Sequence, residues 1–161
     1  GYMKYDIEPD ILTSAKGLGG GMPIGATLTK NNIAPSLSTG THGSTFGGNP
    51  IACAVSNKVL QIVSDPAFLN EVRHKEEFMI SALSEIGSNT EAFSGIRSSG
   101  LWICCDIKKV DAFELLDRCY ENGLILVTAG NKARRFAPAL NITEDEIREG
   151  LENLTKALNQ I

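Results

Sequence analysis

Hydrophobic positions change their spacing three times along this chain. Up to residue 48 they are sparse and interrupted by glycine. Ile11-Leu12 predicts a brief extended segment, and residues 25–29 (GATLT) a short strand returning beside it. Residues 1–15 otherwise read as a turn-rich lead-in, with Glu8-Pro9-Asp10 as turn chemistry. Asn31-Asn32 and residues 35–43 are polar connections without an apolar period. At Asn49-Pro50 the spacing becomes helical. Asn is a strong N-cap, and Pro fits the first helical position. Ala52, Cys53, Val55, Val59, Leu60, Ile62 and Val63 predict one apolar face running to about Ser64. Asp65-Pro66 repeats the start signal. A second helix should turn Leu69, Val72, Met79, Ile80, Leu83 and Ile86 inward and stop at Gly87. The break at 64–66 predicts a domain boundary, with units at 1–64 and 65–161.

Beyond Gly87 the period shortens. Residues 93–97 and 101–107 predict strands. In the second, Leu101, Ile103, Cys105 and Ile107 alternate with Trp102, Cys104 and Asp106. Asp111 with Glu114 predicts a capped helix ending at Asn122-Gly123, and residues 124–128 an apolar strand with 133–137 pairing beside it. Trp102 is expected to pack inside this unit. Thr143 with Glu146 predicts a capping box, and Ile147, Leu151, Leu154 and Leu158 mark one face of a final helix. The whole reads as an α/β plan with a small mixed or antiparallel sheet.

Composition narrows the function classes. The 161 residues are 42% hydrophobic and 21% charged, the balance of a globular protein. A net charge of −4 argues against nucleic-acid binding, and no basic cluster exceeds residues 132–135. No run of about 18 apolar residues predicts a membrane span. The four cysteines (Cys53, Cys104, Cys105 and Cys119) form no C-x-x-C pair, and there are two histidines, so a zinc site is not expected. Reduced thiols and a cytoplasmic location are the expectation. His42 and His74 are assigned no chemistry, and His74 sits in a charged helix face (RHKEE).

The chemistry concentrates at residues 11–26, ILTSAKGLGGGMPIGA. Each glycine costs a regular element about 0.5–1 kcal/mol, so this backbone needs positive φ or a close approach. Lys16 is presented on that loop. By residue type alone it is a solvated charge. The order of residues says more. AKGLGGGMPIGA, followed by THGSTFGGNP at residues 41–50 and RFAPAL at 135–140, resembles the class III pyridoxal phosphate (PLP) aminotransferases over essentially the whole chain. Within that family it resembles the acetylornithine aminotransferases. The family commonly has glycine at the position of Asp6, and residues 96–106 depart from its glycine-richer segment.

That resemblance implies a fold type I PLP-dependent transferase, represented by the C-terminal part of the large domain (1–64) and the small α/β domain (65–161). It implies that Lys16 forms the Schiff base with PLP. It makes Thr45, with Ser44 as the weaker candidate, a contact to the PLP phosphate from the neighbouring subunit of a homodimer. From composition alone those hydroxyls and glycine amides are a plain loop and N-cap, or an anion site. Arg135 is either a surface arginine near a strand end or a bidentate carboxylate ligand, and the resemblance favours the substrate carboxylate.

The implied reaction moves the δ-amino group of N-acetylornithine to 2-oxoglutarate, giving glutamate in arginine biosynthesis. Succinyl-diaminopimelate is a second substrate. Alternatives are another class III transaminase (ornithine, succinylornithine or 4-aminobutyrate) or a non-catalytic fragment. A complete enzyme of this type is more than twice as long, and its phosphate-cradling turn, ring-stacking aromatic and pyridine-pairing Asp precede the part seen here. The chain is therefore expected to be a piece of an enzyme, inactive alone and a poor PLP binder. It could be a cut polypeptide, a split-gene product or a decayed gene.

Overall fold

The computed structural model describes residues 1–130 and 132–161. The chain divides into two compact units, Gly1–Asp65 and Pro66–Ile161.

In the first unit β1 (Ile11–Ser14) pairs antiparallel with β2 (Ala26–Thr29), Ile11 opposite Thr29 and Ser14 opposite Ala26. Asp10 clamps the open end. Its carbonyl accepts from the Thr29 hydroxyl at 3.1 Å and the Lys30 amide at 3.3 Å, and its carboxylate lies 2.9 Å from Lys30 Nζ. Asp6 adopts the left-handed conformation, φ 51° and ψ 40°. Glycine takes this conformation at no steric cost, and aspartate is among the few other residues that visit it. The departure from the family's glycine thus has a backbone reason.

Helix α1 (Pro50–Val63) starts as predicted, with the Asn49 side chain accepting from the amides of Ile51 and Ala52. Its inward stripe is narrower than predicted. Ala52 and Ser56 are buried with Val59 and Val63 half-buried, whereas Leu60 and Ile62 are 49% and 45% exposed. Positions 52, 56, 59 and 63 share one helical face, and 60 and 62 turn off it.

The second unit contains α2 (Pro66–Thr90), β3 (Phe93–Ser99), β4 (Trp102–Ile107), α3 (Ala112–Glu121), β5 (Val127–Thr128), β6 (Ala133–Phe136) and α4 (Glu144–Leu158). The sheet order is β3-β4-β6-β5, and every pairing is antiparallel. Val72, Leu83, Leu115, Leu151 and Leu154 from the helices meet Ile103, Cys105 and Phe136 from the sheet in one core. Fully burying a Leu or Ile stabilises by about 1.5–3 kcal/mol, so Leu83, Ile103, Leu115 and Leu154 anchor this unit. Asp111 caps α3, accepting from the amides of Phe113 at 2.8 Å and Glu114 at 2.9 Å. Thr143 and Glu146 form the predicted capping box of α4.

Further expectations need correction. Leu69, expected to turn inward on α2, is 38% exposed in the first turn of that helix, ahead of Val72, the first buried residue of the helix. Helix α2 does not stop at Gly87 but continues to Thr90. Gly87 is there for close approach, since a Cβ on it would lie 2.9 Å from Phe93 Cδ2 and 3.3 Å from Phe93 Cβ. Glycine to alanine inside a helix ordinarily gains about 1 kcal/mol. Here overpacking costs about 1–3 kcal/mol and reverses the sign. Gly87→Ala is therefore expected to lower the urea midpoint with an unchanged m-value.

The strand expected at 124–128 shortens to Val127–Thr128, because the Leu124 amide donates to Cys119 O at 2.8 Å and so completes the end of α3. Trp102 is not packed in the core but 58% exposed. The alternation of β4 places it with Cys104 and Asp106 on the sheet face opposite the buried Ile103, Cys105 and Ile107.

The same alternation separates the adjacent thiols. Burial above all, then the neighbouring Cys104 and Asp106, pushes the Cys105 thiol up to about 12. Burial pushes Cys119 up to about 11, opposed by Arg134. Raised thiol values mean that the folded state keeps its protons longer than the unfolded state. The associated stability is fully present below the ordinary thiol value of 9.0 and is lost as pH rises toward these values. At pH 8 an alkylating reagent is expected to modify the half-buried Cys53 and Cys104 first. Cys105 and Cys119 should react only after denaturant is added, as read by mass spectrometry.

Candidate active site

The glycine-rich segment connects β1 to β2. Ala15 is extended, and Lys16 then turns to φ 56°, opening a 3-10 turn over Lys16–Gly19. A non-glycine residue in this region costs of order 1–3 kcal/mol, and such residues cluster where a side chain must be aimed. The strain raises Lys16 out of the turn with an exposed side chain, while Gly19 behind it is buried. Gly20 closes the turn at φ 54°, and a Cβ there would lie 3.0 Å from Val59 Cγ2 on α1. Glycine at that position lets the loop rest on the helix. The apolar stripe of α1 therefore supports the backbone that presents the lysine.

Ser44 and Thr45 lie in the connection preceding α1, both exposed. The Gly47 amide donates to Ser44 O at 3.1 Å, and a Cβ on Gly47 would meet Ser44 Oγ at 2.8 Å. The Ser44 hydroxyl therefore folds over its own turn. The N-cap is the expected one, and it occupies the first turn of α1. Pro50 has no N–H, the Ile51 and Ala52 amides are taken by Asn49 Oδ1, and the Cys53 amide bonds Asn49 O at 2.9 Å. The donors left for a phosphate are the Thr45 and Ser44 hydroxyls and the loop amides beside them.

Arg135 belongs to the second unit. On β6 it is opposite Cys104 of β4, and its guanidinium lies over the Trp102 ring, 4.7 Å from the centroid. It borders an open cavity of about 490 Å³ that Arg97, Trp102, Cys104 and Thr128 also line. Arg97 is committed to Asp106, with Nη2 to Oδ1 at 2.6 Å. Arg135 Nε is buried and meets no acceptor among the described residues. Lys16, Ser44 and Thr45 thus belong to one unit and Arg135 to the other.

Arg134 escaped the sequence reading as a structural residue. It pairs with Cys105, faces the core and is fully buried. Its Nε donates to Ala112 O at 2.7 Å and Nη1 to Ala133 O at 2.8 Å, with the Phe113 ring 5.0 Å away. The period-two alternation of β6 was the available signal, since one of two adjacent arginines must face inward. The Glu114 and Phe113 amides hold the Asp111 carboxyl below the usual range, and the nearby Arg134 charge adds to this.

An amine raised on strained backbone and exposed hydroxyls on a separate loop match the needs of an aldehyde and a phosphate. A carboxylate fits an arginine with an unmet donor. The class III aminotransferase family model matches residues 1–158, and the chain belongs to this family. Two relatives come from Photorhabdus laumondii. Its succinylornithine transaminase is 48% identical over 98% of this chain and 40% of its own length. Its acetylornithine/succinyldiaminopimelate aminotransferase is 44% identical over 99% of this chain and 40% of its own. Among solved structures, N-acetylornithine aminotransferase from Stenotrophomonas maltophilia K279a superposes with a TM-score of 0.88. That match has 32% identity and covers 99% of this chain and 42% of that one. The α/β fold is that of the PLP-dependent aminotransferases. The chain spans about two fifths of the length of these curated relatives. No helix among the described residues is long and apolar enough to cross a membrane.

Proposed function

We propose that the chain supplies the lysine-bearing and carboxylate-binding parts of a PLP-dependent transaminase acting on acylated ornithine. The observation that carries this reading is Lys16, an exposed amine held at positive φ by a glycine turn. Class III aminotransferases are PLP-dependent. Bound PLP supplies an electron sink for the carbon that gains or loses the amino group.

The chain's own residues do the rest. Lys16 Nζ would hold the cofactor at its aldehyde carbon, and as a free amine beside the substrate it would carry a proton to and from the reacting carbon. Thr45 Oγ1, with Ser44 Oγ as a weaker donor, hydrogen-bonds phosphate oxygens. In a homodimer these two hydroxyls serve the cofactor of the partner subunit. Arg135 receives the substrate carboxylate in a two-pronged charge-assisted contact. The amino donor is N-acetylornithine, with succinylornithine or succinyl-diaminopimelate as further donors, and the acceptor is 2-oxoglutarate. Both acyl forms occur in the names of the relatives above.

The test uses a complete enzyme in which residues 1–161 replace the matching segment of the Photorhabdus laumondii acetylornithine/succinyldiaminopimelate aminotransferase. Glutamate formation from N-acetylornithine and from succinylornithine is then followed. Arg135→Ala is expected to raise KM for 2-oxoglutarate about 10- to 100-fold, the equivalent of one charged hydrogen-bonded contact. An unchanged KM would return Arg135 to the status of a surface residue.

A further inference from the structure

The side chain under the Arg135 guanidinium lies outside the three motifs at residues 11–26, 41–50 and 135–140. We propose that Trp102 is a positioning residue for substrate-carboxylate recognition, holding the Arg135 guanidinium over its indole so that the fork is placed before the carboxylate arrives. This inference rests on the carboxylate role of Arg135 proposed above.

The sheet register brings the two together. Cys104 is directly opposite Arg135 and Ile103 opposite Phe136, so Trp102 is the diagonal neighbour of Arg135 on the same face. The small Cys104 side chain between them leaves room for the guanidinium to lie over the ring at 4.7 Å. Trp is the strongest of the aromatic partners for a cation. The indole is 58% exposed and absent from the core of the second unit.

The other charge in this cavity is already spent. Arg97 is bonded to Asp106, whereas no carboxylate among the described residues lies within ion-pair reach of Arg135. Its Nε–H is buried and meets no acceptor among the described residues, so the guanidinium is not bound elsewhere through that donor. A free arginine side chain loses much rotamer freedom on binding, and stacking removes that freedom in advance. The effect belongs in affinity for the carboxylate and not in the proton transfers at Lys16.

The experiment compares Trp102→Leu, Trp102→Phe and Arg135→Ala in the complete enzyme described above. Trp102→Leu is expected to raise KM for 2-oxoglutarate about threefold to tenfold, the range of a partly desolvated cation–ring contact, with kcat and Tm nearly unchanged. Trp102→Phe should recover most of the loss, because a flat ring remains. A raised KM in Arg135→Ala with an unchanged KM in Trp102→Leu would overturn the proposal and leave the carboxylate role of Arg135 standing. Unchanged KM in both variants would overturn both. A fall in kcat or Tm without a KM change would make Trp102 structural and equally overturn it.

A second readout needs no substrate and no cofactor. Trp102 is the only tryptophan of the 161-residue chain. Its fluorescence should change in intensity and emission maximum when Arg135 is replaced by alanine. An identical spectrum would show that the two side chains do not stack.

Discussion

Lys16→Ala, in the complete enzyme carrying this chain, is expected to lower turnover by more than about 10³-fold and to remove the visible absorbance of bound cofactor. Positioned proton transfer alone contributes about 10²–10⁴-fold, and in the role proposed for it this amine also forms the covalent attachment. Stability should move the other way. Lys16 occupies φ 56°, where a side chain is strained. Replacement by glycine relieves that strain and is expected to raise Tm while abolishing activity as completely as alanine does. A Lys16→Gly variant that loses stability would show that the turn depends on the lysine side chain itself. Residual transamination within tenfold of the native rate would remove Lys16 from the chemistry. An inactive but more stable variant is the signature of strain kept for function.

The second large effect concerns stability. Arg134→Ala is expected to destabilise the second unit by about 3 kcal/mol, because it leaves a void at a fully buried position and removes hydrogen bonds to the carbonyl oxygens of Ala112, Gly130 and Ala133. Arg134→Met keeps most of the volume and removes a buried charge whose Nη2 has no partner. Swapping buried charge for apolar volume is often neutral or better, so the Met variant should fall within about 1 kcal/mol of the native protein. Urea unfolding of the three proteins decides it. Equal losses in Ala and Met would mean that the guanidinium bonds to Ala112 and Ala133, and not the filled space, hold β6 against α3. Removing the Arg134 charge should also let the Asp111 carboxyl titrate closer to its ordinary value. The depressed carboxyl contributes stability above its unfolded value of 3.8 that is lost as pH falls through the folded one. In either variant the acid limb of the stability curve should therefore be shallower.

Those two residues show what was legible in the sequence. Caps were legible because they are local. Asn49, Asp111 and Thr143 each accept from amides two or three residues on, and no tertiary contact is needed to form them. The strand alternation of β4 was legible for the same reason. Gly87 reads as a stop in the sequence because its cause is a packing contact with the strand that follows the helix. A glycine after a helical run is ordinarily a stop, and only the Phe93 ring against it makes it a packing position. Leu60, Ile62 and Trp102 were misread because hydrophobicity alone does not say which face of an element is covered.

Among the site candidates, residue order pointed to Lys16, Thr45, Ser44 and Arg135. Residue order could not show how the chain holds them. The positive φ of Lys16 depends on the glycine turn resting on α1. The placement of the Arg135 guanidinium over an indole depends on a strand register that puts Trp102 diagonally beside it. Composition alone reads the segment before α1 as a plain loop and N-cap, or an anion site, and the Asn49 cap it predicts takes the Ile51 and Ala52 amides.

The central claim is a bond between the amine at position 16 and the aldehyde of PLP. Reduction of the cofactor-loaded complete enzyme with borohydride, followed by proteolysis and mass spectrometry, reads that bond directly. The account predicts a pyridoxyl phosphate mass on the peptide containing Lys16 and on no other. The same mass on a different lysine, or no adduct in an enzyme that turns over, would contradict it.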